Sequence, residues 1–160
     1  VSNVKNMNWM FLNASEFNQD LNNWDVGNVE TMIGMFSGAK KFNNGCNWNM
    51  TNVKNTSYMF HKAFRFNQNI GIWDVSNVEH MHSMFDQAIS FNGDIRNWNV
   101  TKVQDISYMF AGARNFFHIL DKWKLLSLIT DIRYGAYKDI IVYTRRTDRE
   151  LIGKSLDRVL

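Results

Sequence analysis

The chain has 160 residues, of which 45% are hydrophobic and 21% charged, and its formal net charge is +3. That length allows one domain with a sizeable core, and so small a charge does not indicate a nucleic-acid-binding protein. The single cysteine, Cys46, excludes an intrachain disulfide, and the absence of an apolar run of about 18 residues excludes a membrane-spanning helix.

Copies of one pattern fill most of the chain. The template reads V-S/T/G-N-V-x-x-M-x-x-M-F-x-x-A-x-x-F-N-x-x-I/L-x-x-W-D/N and has a period of 25 residues, shortened to 24 in the second copy. Such self-similarity is typical of a protein built from stacked repeats. Because the pattern is already under way at Val1, we expect an upstream piece to be missing. The copies are residues 1–25, 26–49, 50–74, 75–99 and 100–124.

The first half of each copy predicts a short amphipathic helix. Ser76 and Glu79 have the spacing of a capping box, which satisfies free backbone donors at the start of a helix. At about 100° per residue, the apolar side chains of the fourth copy fall within an arc of roughly 120°, on one face of about three helical turns. These side chains are Val78, Met81, Met84, Phe85 and Ala88.

The second half of each copy predicts a turn followed by a short extended segment. In the fourth copy Phe91, Ile95 and Trp98 are apolar, with Asn or Asp between them, and this is not helical spacing. One Asn recurs in each of the first four copies and predicts a ladder in which its amide bonds the backbone of the next coil. Helices need more room than strands, so helices on one side would make the stack curve.

The sequence therefore predicts an α/β repeat solenoid over residues 1–123. Residues 124–160 contain no Asn, whereas the first 115 residues contain twenty-one, so the tail belongs to a different structure. Residues 139–144 read as a strand, and a helix is predicted to begin near Thr147. Since the last coil of a stack needs a cover over its inner face, we interpret 124–160 as a C-terminal cap of one strand and one helix.

The repeat columns resemble a known family. The segments V-S/T-N-V-x-x-M, M-F-x-x-A, F-N-x-D/N-I/L and W-D/N-V resemble the BspA-like leucine-rich-repeat surface proteins, a class found in bacterial surface lipoproteins with similar arrays in protist and giant-virus proteins. The resemblance covers residues 1–123. It implies a leucine-rich-repeat-like solenoid and a role in adhesion or protein–protein contact. It implies no catalytic residues.

The chemistry-bearing residues do not indicate an enzyme. His80 and His82, two residues apart on a predicted helix, point to different sides and so do not predict a metal site. Asp and Asn interchange within the columns of Asp25 and Asp94, which suits hydrogen bonding but not acid–base catalysis. Neither a phosphate-binding loop nor a nucleophile elbow is present. A hydrolase that uses these aspartates is the weakest of the functions considered.

Partner binding is expected where the template leaves a position variable. One such column holds Trp9, Gly34, Tyr58, Ser83 and Tyr108, and its three aromatic residues either form an exposed contact strip or fold over neighbouring coils. Two basic groups are further candidates, either to bind an acidic partner or anionic surface or to remain solvated. They are Lys40, Lys41, Lys62 and Arg65 in the repeats, with Arg114 farther along, and Arg145 and Arg146 in the tail.

These observations predict a non-enzymatic repeat scaffold that mediates protein–protein interaction. It would be a surface or structural component of a larger assembly, such as a virion or a membrane-associated complex. The alternative is a cell-surface adhesin that binds host protein or glycan. Protein partners are expected, with no cofactor, no nucleic acid and no small-molecule substrate, and membrane contact is expected only through an upstream anchor.

Overall fold

Five coils stack on one another in the computed structural model, which describes residues 1–118, 120, 122 and 123. Coils 1 to 5 correspond to the five sequence copies. Isolated parallel bridges link each coil to the next and form one continuous row: Asn6 to Thr31, Thr31 to Asn55, Asn55 to His80, and His80 to Asp105. The described residues contain no helix and no strand longer than these bridges.

The prediction of an α/β solenoid is therefore wrong. The predicted helix of coil 4 is interrupted by Ser83 and Gln87, whose φ angles are 51° and 58°, in the left-handed region that a right-handed helix cannot accommodate. Within the coil, Met84 N–H donates to Met81 C=O and Ala88 N–H to Phe85 C=O. Successive turns, each closed by a hydrogen bond to the carbonyl three residues back, thus replace the helix. The curvature of the stack was predicted from helices on one side, so that prediction loses its basis.

Alternate backbone N–H groups leave the coil and bond its neighbour. Trp9 N–H donates to Ile33 C=O at 2.8 Å, and Phe11 N–H donates to Met35 C=O at 2.8 Å. The same bonds recur from coil 2 to coil 3, from coil 3 to coil 4 and from coil 4 to coil 5. Half of the amides in this region therefore hold the turns together and the other half hold the coils together.

Two phenylalanine columns form the centre of the core. Neighbouring rings in the column of Phe36 and Phe60 lie 5.4–5.8 Å apart and almost parallel. A second column, containing Phe42 and Phe66, packs against the first, with centroids 4.0 Å apart between Phe36 and Phe42. The set that the sequence placed on one helical face, from Val78 to Ala88, is fully buried. The inward positions were predicted correctly although the backbone was not.

The tryptophans form a third column and add hydrogen bonds to it. The rings of Trp48, Trp73, Trp98 and Trp123 are separated by 6.3–6.4 Å. Each indole N–H donates to a backbone carbonyl of the preceding coil, as Trp73 does to Cys46 at 2.6 Å. In the shortened coil 2, the backbone N–H of Trp48 donates to the carbonyl of Cys46, two residues back. In the other coils the corresponding tryptophan N–H donates to the carbonyl three residues back. This tighter turn compensates for the residue that coil 2 lacks.

The predicted asparagine ladder is confirmed. Asn43 N–H donates to Asn18 Oδ1, Asn67 N–H to Asn43 Oδ1 and Asn92 N–H to Asn67 Oδ1, at 2.8–2.9 Å. Each amide oxygen thus satisfies a backbone donor of the next coil. The predicted capping box of Ser76 and Glu79 is absent, because Ser76 N–H donates instead to Asp74 Oδ1. The predicted cap at 124–160 lies outside the described residues.

Candidate functional site

The column that begins at Trp9 has a left-handed backbone in every coil. The φ angles are 59° at Trp9, 58° at Gly34, 59° at Tyr58, 51° at Ser83 and 57° at Tyr108. This conformation lets the coil turn tightly while it bonds both neighbours. It costs glycine little, but it is rare for bulky side chains. Three aromatic residues therefore occupy positions whose backbone conformation favours glycine.

Trp9 reaches across coil 2 to coil 3. A Cβ atom added to Gly34 would lie 1.9 Å from Cε3 and Cζ3 of Trp9, so the indole packs directly on the glycine. The Trp9 and Tyr58 rings are 6.2 Å apart and tilted by 35°, although their residues are two coils apart. Trp9 remains 43% exposed. The ring thus folds over its neighbour, as one sequence alternative proposed, and still presents a surface to solvent.

His82 fills the next gap in the column, where Ser83 has no ring. Its imidazole centroid lies 4.9 Å from the Tyr58 ring and 5.8 Å from the Tyr108 ring, both in edge-on geometry. Tyr108 is 49% exposed. We call Trp9, Tyr58, His82 and Tyr108 the aromatic strip. The structure thus brings the three predicted aromatics into one line.

Sequence reasoning missed His82, which it considered only as a metal ligand beside His80 and set aside. The available signal was its position beside Ser83, between the two tyrosine-bearing coils. In the structure its Nδ1 lies 3.6 Å from Asp105 Oδ2, which places a carboxylate beside the strip.

A second histidine lies beside Tyr58. The His61 imidazole is 5.9 Å from the Tyr58 ring, and its Nδ1 is 3.0 Å from Asp86 Oδ2. The contact is short, but it is not aligned as a hydrogen bond. Burial lowers the pKa of His61, and the charge of Lys62 lowers it further; together they outweigh the opposing effect of Asp86. His61 therefore favours its neutral form next to the strip.

The basic candidates of the repeats do not form one cluster of free charges. Lys41 makes an ion pair with Glu16, and the Lys40 ammonium lies 5.9 Å from the centroid of the Phe64 ring. Arg65 is brought beside Lys40 through its backbone N–H, which donates to the Lys40 carbonyl at 3.2 Å. Lys62 is exposed, at a left-handed position. Arg145 and Arg146 lie outside the described residues.

The aspartates act as backbone acceptors. Asp25 and Asp74 accept hydrogen bonds from the N–H two residues onward, and Asn49 and Asn99 do the same in their coils. Hydrogen bonds from Arg96 hold the pKa of Asp94 well below its usual range. The interchange of Asp and Asn within these columns thus has a structural explanation.

The remaining candidates for chemistry in the described region are the Cys46 thiol and clusters of metal-ligating side chains. Burial raises the pKa of the Cys46 thiol far above its ordinary value, and Asp20 raises it further, so this thiol is not an activated nucleophile. Residues 1–118, 120, 122 and 123 contain no group of three potential metal ligands. Over the same residues, no helix is long and apolar enough to cross a bilayer.

Comparison with known families identifies the repeat. The family model described as "Mycoplasma protein of unknown function, DUF285" matches residues 1–47 and 44–138, most of the chain. The chain belongs to the DUF285 family. Membership of the DUF285 family confirms the predicted kinship at the level of a repeat family. The match extends past the fifth coil, to residue 138. No curated protein and no solved structure matches the chain.

Proposed function

We propose that this DUF285 chain is a non-enzymatic repeat scaffold that binds another protein through the aromatic strip. The observation that carries the proposal is that Trp9, Tyr58 and Tyr108 keep bulky aromatic side chains on a left-handed backbone. Each such residue costs on the order of 1–2 kcal/mol relative to a right-handed conformation. Gly34 shows that the same column accepts glycine, so stacking alone does not require the rings.

The exposure of the strip supports a role in binding. The phenylalanine and tryptophan columns of coils 2 to 5 lie inside the stack, where they are at most 8% exposed. The strip instead keeps two of its rings more than two-fifths exposed. Tyr and Trp are the residues most often found at energetic centres of protein interfaces, and strained residues are concentrated at functional sites.

The wider setting is also part of the proposal. The resemblance of the repeat to BspA-like surface proteins supports a surface or structural component of a larger assembly, such as a virion or a membrane-associated complex. The alternative is a cell-surface adhesin, in which the same strip would bind host protein or glycan. The two functions differ in where the ligand comes from, since a scaffold binds a component of the cell or particle that makes it.

The experiment is affinity isolation of the native protein followed by mass spectrometry. The test variant carries Tyr58→Gly and Tyr108→Gly, which remove both rings and leave the residue that Gly34 shows to fit the column. The control is Ile72→Asn, which removes a 64% exposed apolar side chain and restores the asparagine found at the same position in other coils. Urea unfolding of both variants checks that the stack is intact.

We expect the wild type and the Ile72→Asn variant to retain a stoichiometric protein partner and the double glycine variant to lose it. Equal retention by the folded double variant would contradict the role of the strip. Recovery of the wild type alone from its own cells, together with ring-dependent binding to foreign cell extracts or glycans, would favour the adhesin.

A further inference from the structure

One variable column forms a row of side chains along coils 2 to 5. Its members are Lys40, Phe64, Ile89 and Arg114. The backbone holds this row in register, because Arg65 N–H donates to Lys40 C=O at 3.2 Å. Ser90 N–H donates to Phe64 C=O at 3.2 Å, and the same bond recurs from coil 5 to coil 4. The row therefore places two apolar side chains between two cations, one residue in each coil.

The charge around this row is of one sign. Residues 38–42, 62–66, 87–91 and 112–116 contain five of the nine Lys and Arg residues of 1–120, and they contain no Asp or Glu. Only one of these five cations is paired within the described residues, through the contact of Lys41 with Glu16. A concentration of unpaired positive charge on one side of the stack attracts an anionic ligand.

Three of these cations are exposed together with an apolar centre. Lys40, Arg65 and Arg114 are exposed and form no ion pair with the part of the chain that the structure describes. We call these three residues, with Phe64 and Ile89, the basic ridge. The Lys40 ammonium lies 5.9 Å from the centroid of the Phe64 ring, and Ile89 is 37% exposed. A ligand that covers the ridge must therefore offer both negative charge and apolar surface.

The apolar centre argues against a uniform polyanion. A nucleic acid carries phosphates at regular spacing, so some of them would lie over Phe64 and Ile89 and lose water without gaining a partner. An anionic bilayer is bound best by apolar side chains that insert into it, whereas Phe64 is half-buried. Strand addition is not favoured either, because the backbone N–H groups of Arg65 and Ser90 are already bonded. The ligand must therefore bind through its side chains.

We propose that the basic ridge binds an extended polypeptide segment in which two acidic side chains, four residues apart, flank an apolar one. Neighbouring coils are about 4.8 Å apart, so Lys40 and Arg114 are separated by about 14 Å along the stack. Residues i and i+4 of an extended chain are also about 13–14 Å apart and point to the same side. The residue midway between them then lies over Phe64 and Ile89.

The ligand lies outside the 160 residues, because none of their segments has an apolar residue midway between two acidic residues four apart. The basic ridge shares no residue with the aromatic strip and is a second binding surface. Its charges make binding dependent on ionic strength, since exposed charges are screened by salt.

A synthetic peptide tests the basic ridge on the full chain. The probe carries a neutral fluorophore and has Glu at both ends of its central five residues, Leu midway and Ser elsewhere. Fluorescence anisotropy measures its binding. The test variant, Arg65→Gln with Arg114→Gln, removes two ridge charges from coils 3 and 5. The matched control, Lys54→Gln with Lys102→Gln, removes the same charge from the same coils outside the ridge. Urea unfolding checks that both variants are folded.

We expect the wild type and the control to bind the peptide saturably, and the test variant to bind it at least about fivefold more weakly, because two charge contacts are lost. Ile89→Ser should weaken binding of this peptide but not of a peptide whose Leu is replaced by Ser, since the two side chains are coupled. The variant with Tyr58→Gly and Tyr108→Gly should bind as the wild type does, so the outcome is independent of the aromatic strip.

Three results would overturn the proposal. The first is no binding by the wild type at millimolar peptide, and the second is equal binding by the test and control variants. The third is binding of phosphatidylserine vesicles or of an oligothymidylate that depends on Arg65 and Arg114 and is tighter than binding of the peptide. That result would replace the polypeptide segment by a polyanion.

Discussion

Replacing Trp73 by alanine removes the centre of the tryptophan column. Trp73 is 3% exposed, and its ring lies 6.4 Å from that of Trp48 and 6.3 Å from that of Trp98. Truncating a buried tryptophan costs about 3–5 kcal/mol, and the Cys46 carbonyl that loses its donor adds about 1 kcal/mol. We therefore expect the free energy of unfolding to fall by about 4–6 kcal/mol.

Urea denaturation followed by circular dichroism measures this change. Trp73→Phe keeps an aromatic ring in the column but lacks the N–H that Cys46 accepts, so a loss of about 1–3 kcal/mol is expected. Ile72→Ala, at a 64% exposed neighbour, should stay within about 0.5 kcal/mol of the wild type. If Trp73→Ala unfolds at the same urea concentration as Ile72→Ala, the inward stacking of the ring is wrong.

Three further predictions concern single contacts. Gly34→Ala should cost about 1–2 kcal/mol at its left-handed φ of 58° and displace the Trp9 indole; unchanged acrylamide quenching of Trp9 would contradict that packing. Asn67→Ala removes the acceptor of the Asn92 N–H and should cost about 1 kcal/mol, whereas Asn67→Asp keeps an acceptor; equal unfolding midpoints for the two variants would argue against the ladder. Because the pKa of His61 is lower in the folded protein than in the unfolded chain, the unfolded chain binds the proton more readily. The neutral imidazole therefore makes its full contribution to stability above about pH 6.5, and this contribution is lost as the pH falls through the pKa of the folded protein. The pH dependence of the unfolding midpoint should be shallower in His61→Gln, and identical slopes would exclude this role.

The sequence predicted which residues face inward better than it predicted the backbone. Val78, Met81 and Phe85 are buried as expected. Apolar residues three and four positions apart share one face both in a helix and in a series of turns closed by bonds to the carbonyl three residues back. A helix returns each N–H to its own chain four residues back. In these coils Ser83 and Phe85 donate to coil 5 instead, and no pattern within a single coil reveals such a bond.

A signal against the helix was nevertheless present. Glycine occupies two columns four residues apart, at Gly34 and Gly38, and again at Gly112, all with positive φ. Glycine is unfavourable inside a helix and well suited to left-handed turns, so its recurrence in fixed columns indicated turns.

The candidate site was predicted in part. The aromatic column identified Trp9, Tyr58 and Tyr108, since a variable column in a repeat protein stands out by comparison of the copies. The role of His82 depends on its contacts with two tyrosines in different coils, and sequence spacing does not encode such contacts. The pairing of Lys41 with Glu16 likewise follows from stacking.

The 24-residue coil shows how this architecture tolerates change. Coil 2 lacks one residue, yet Trp48 still lies 6.4 Å from Trp73 and donates to Leu21, because the tighter turn at Cys46 takes up the difference. Side-chain hydrogen bonds between coils join residues only 23–28 positions apart, so these bonds link each coil to its immediate neighbours, and the ring contact of Trp9 with Tyr58 reaches one coil farther. Evolution or a protein engineer can therefore shorten a loop, or add a whole coil, without redesigning the rest of the array.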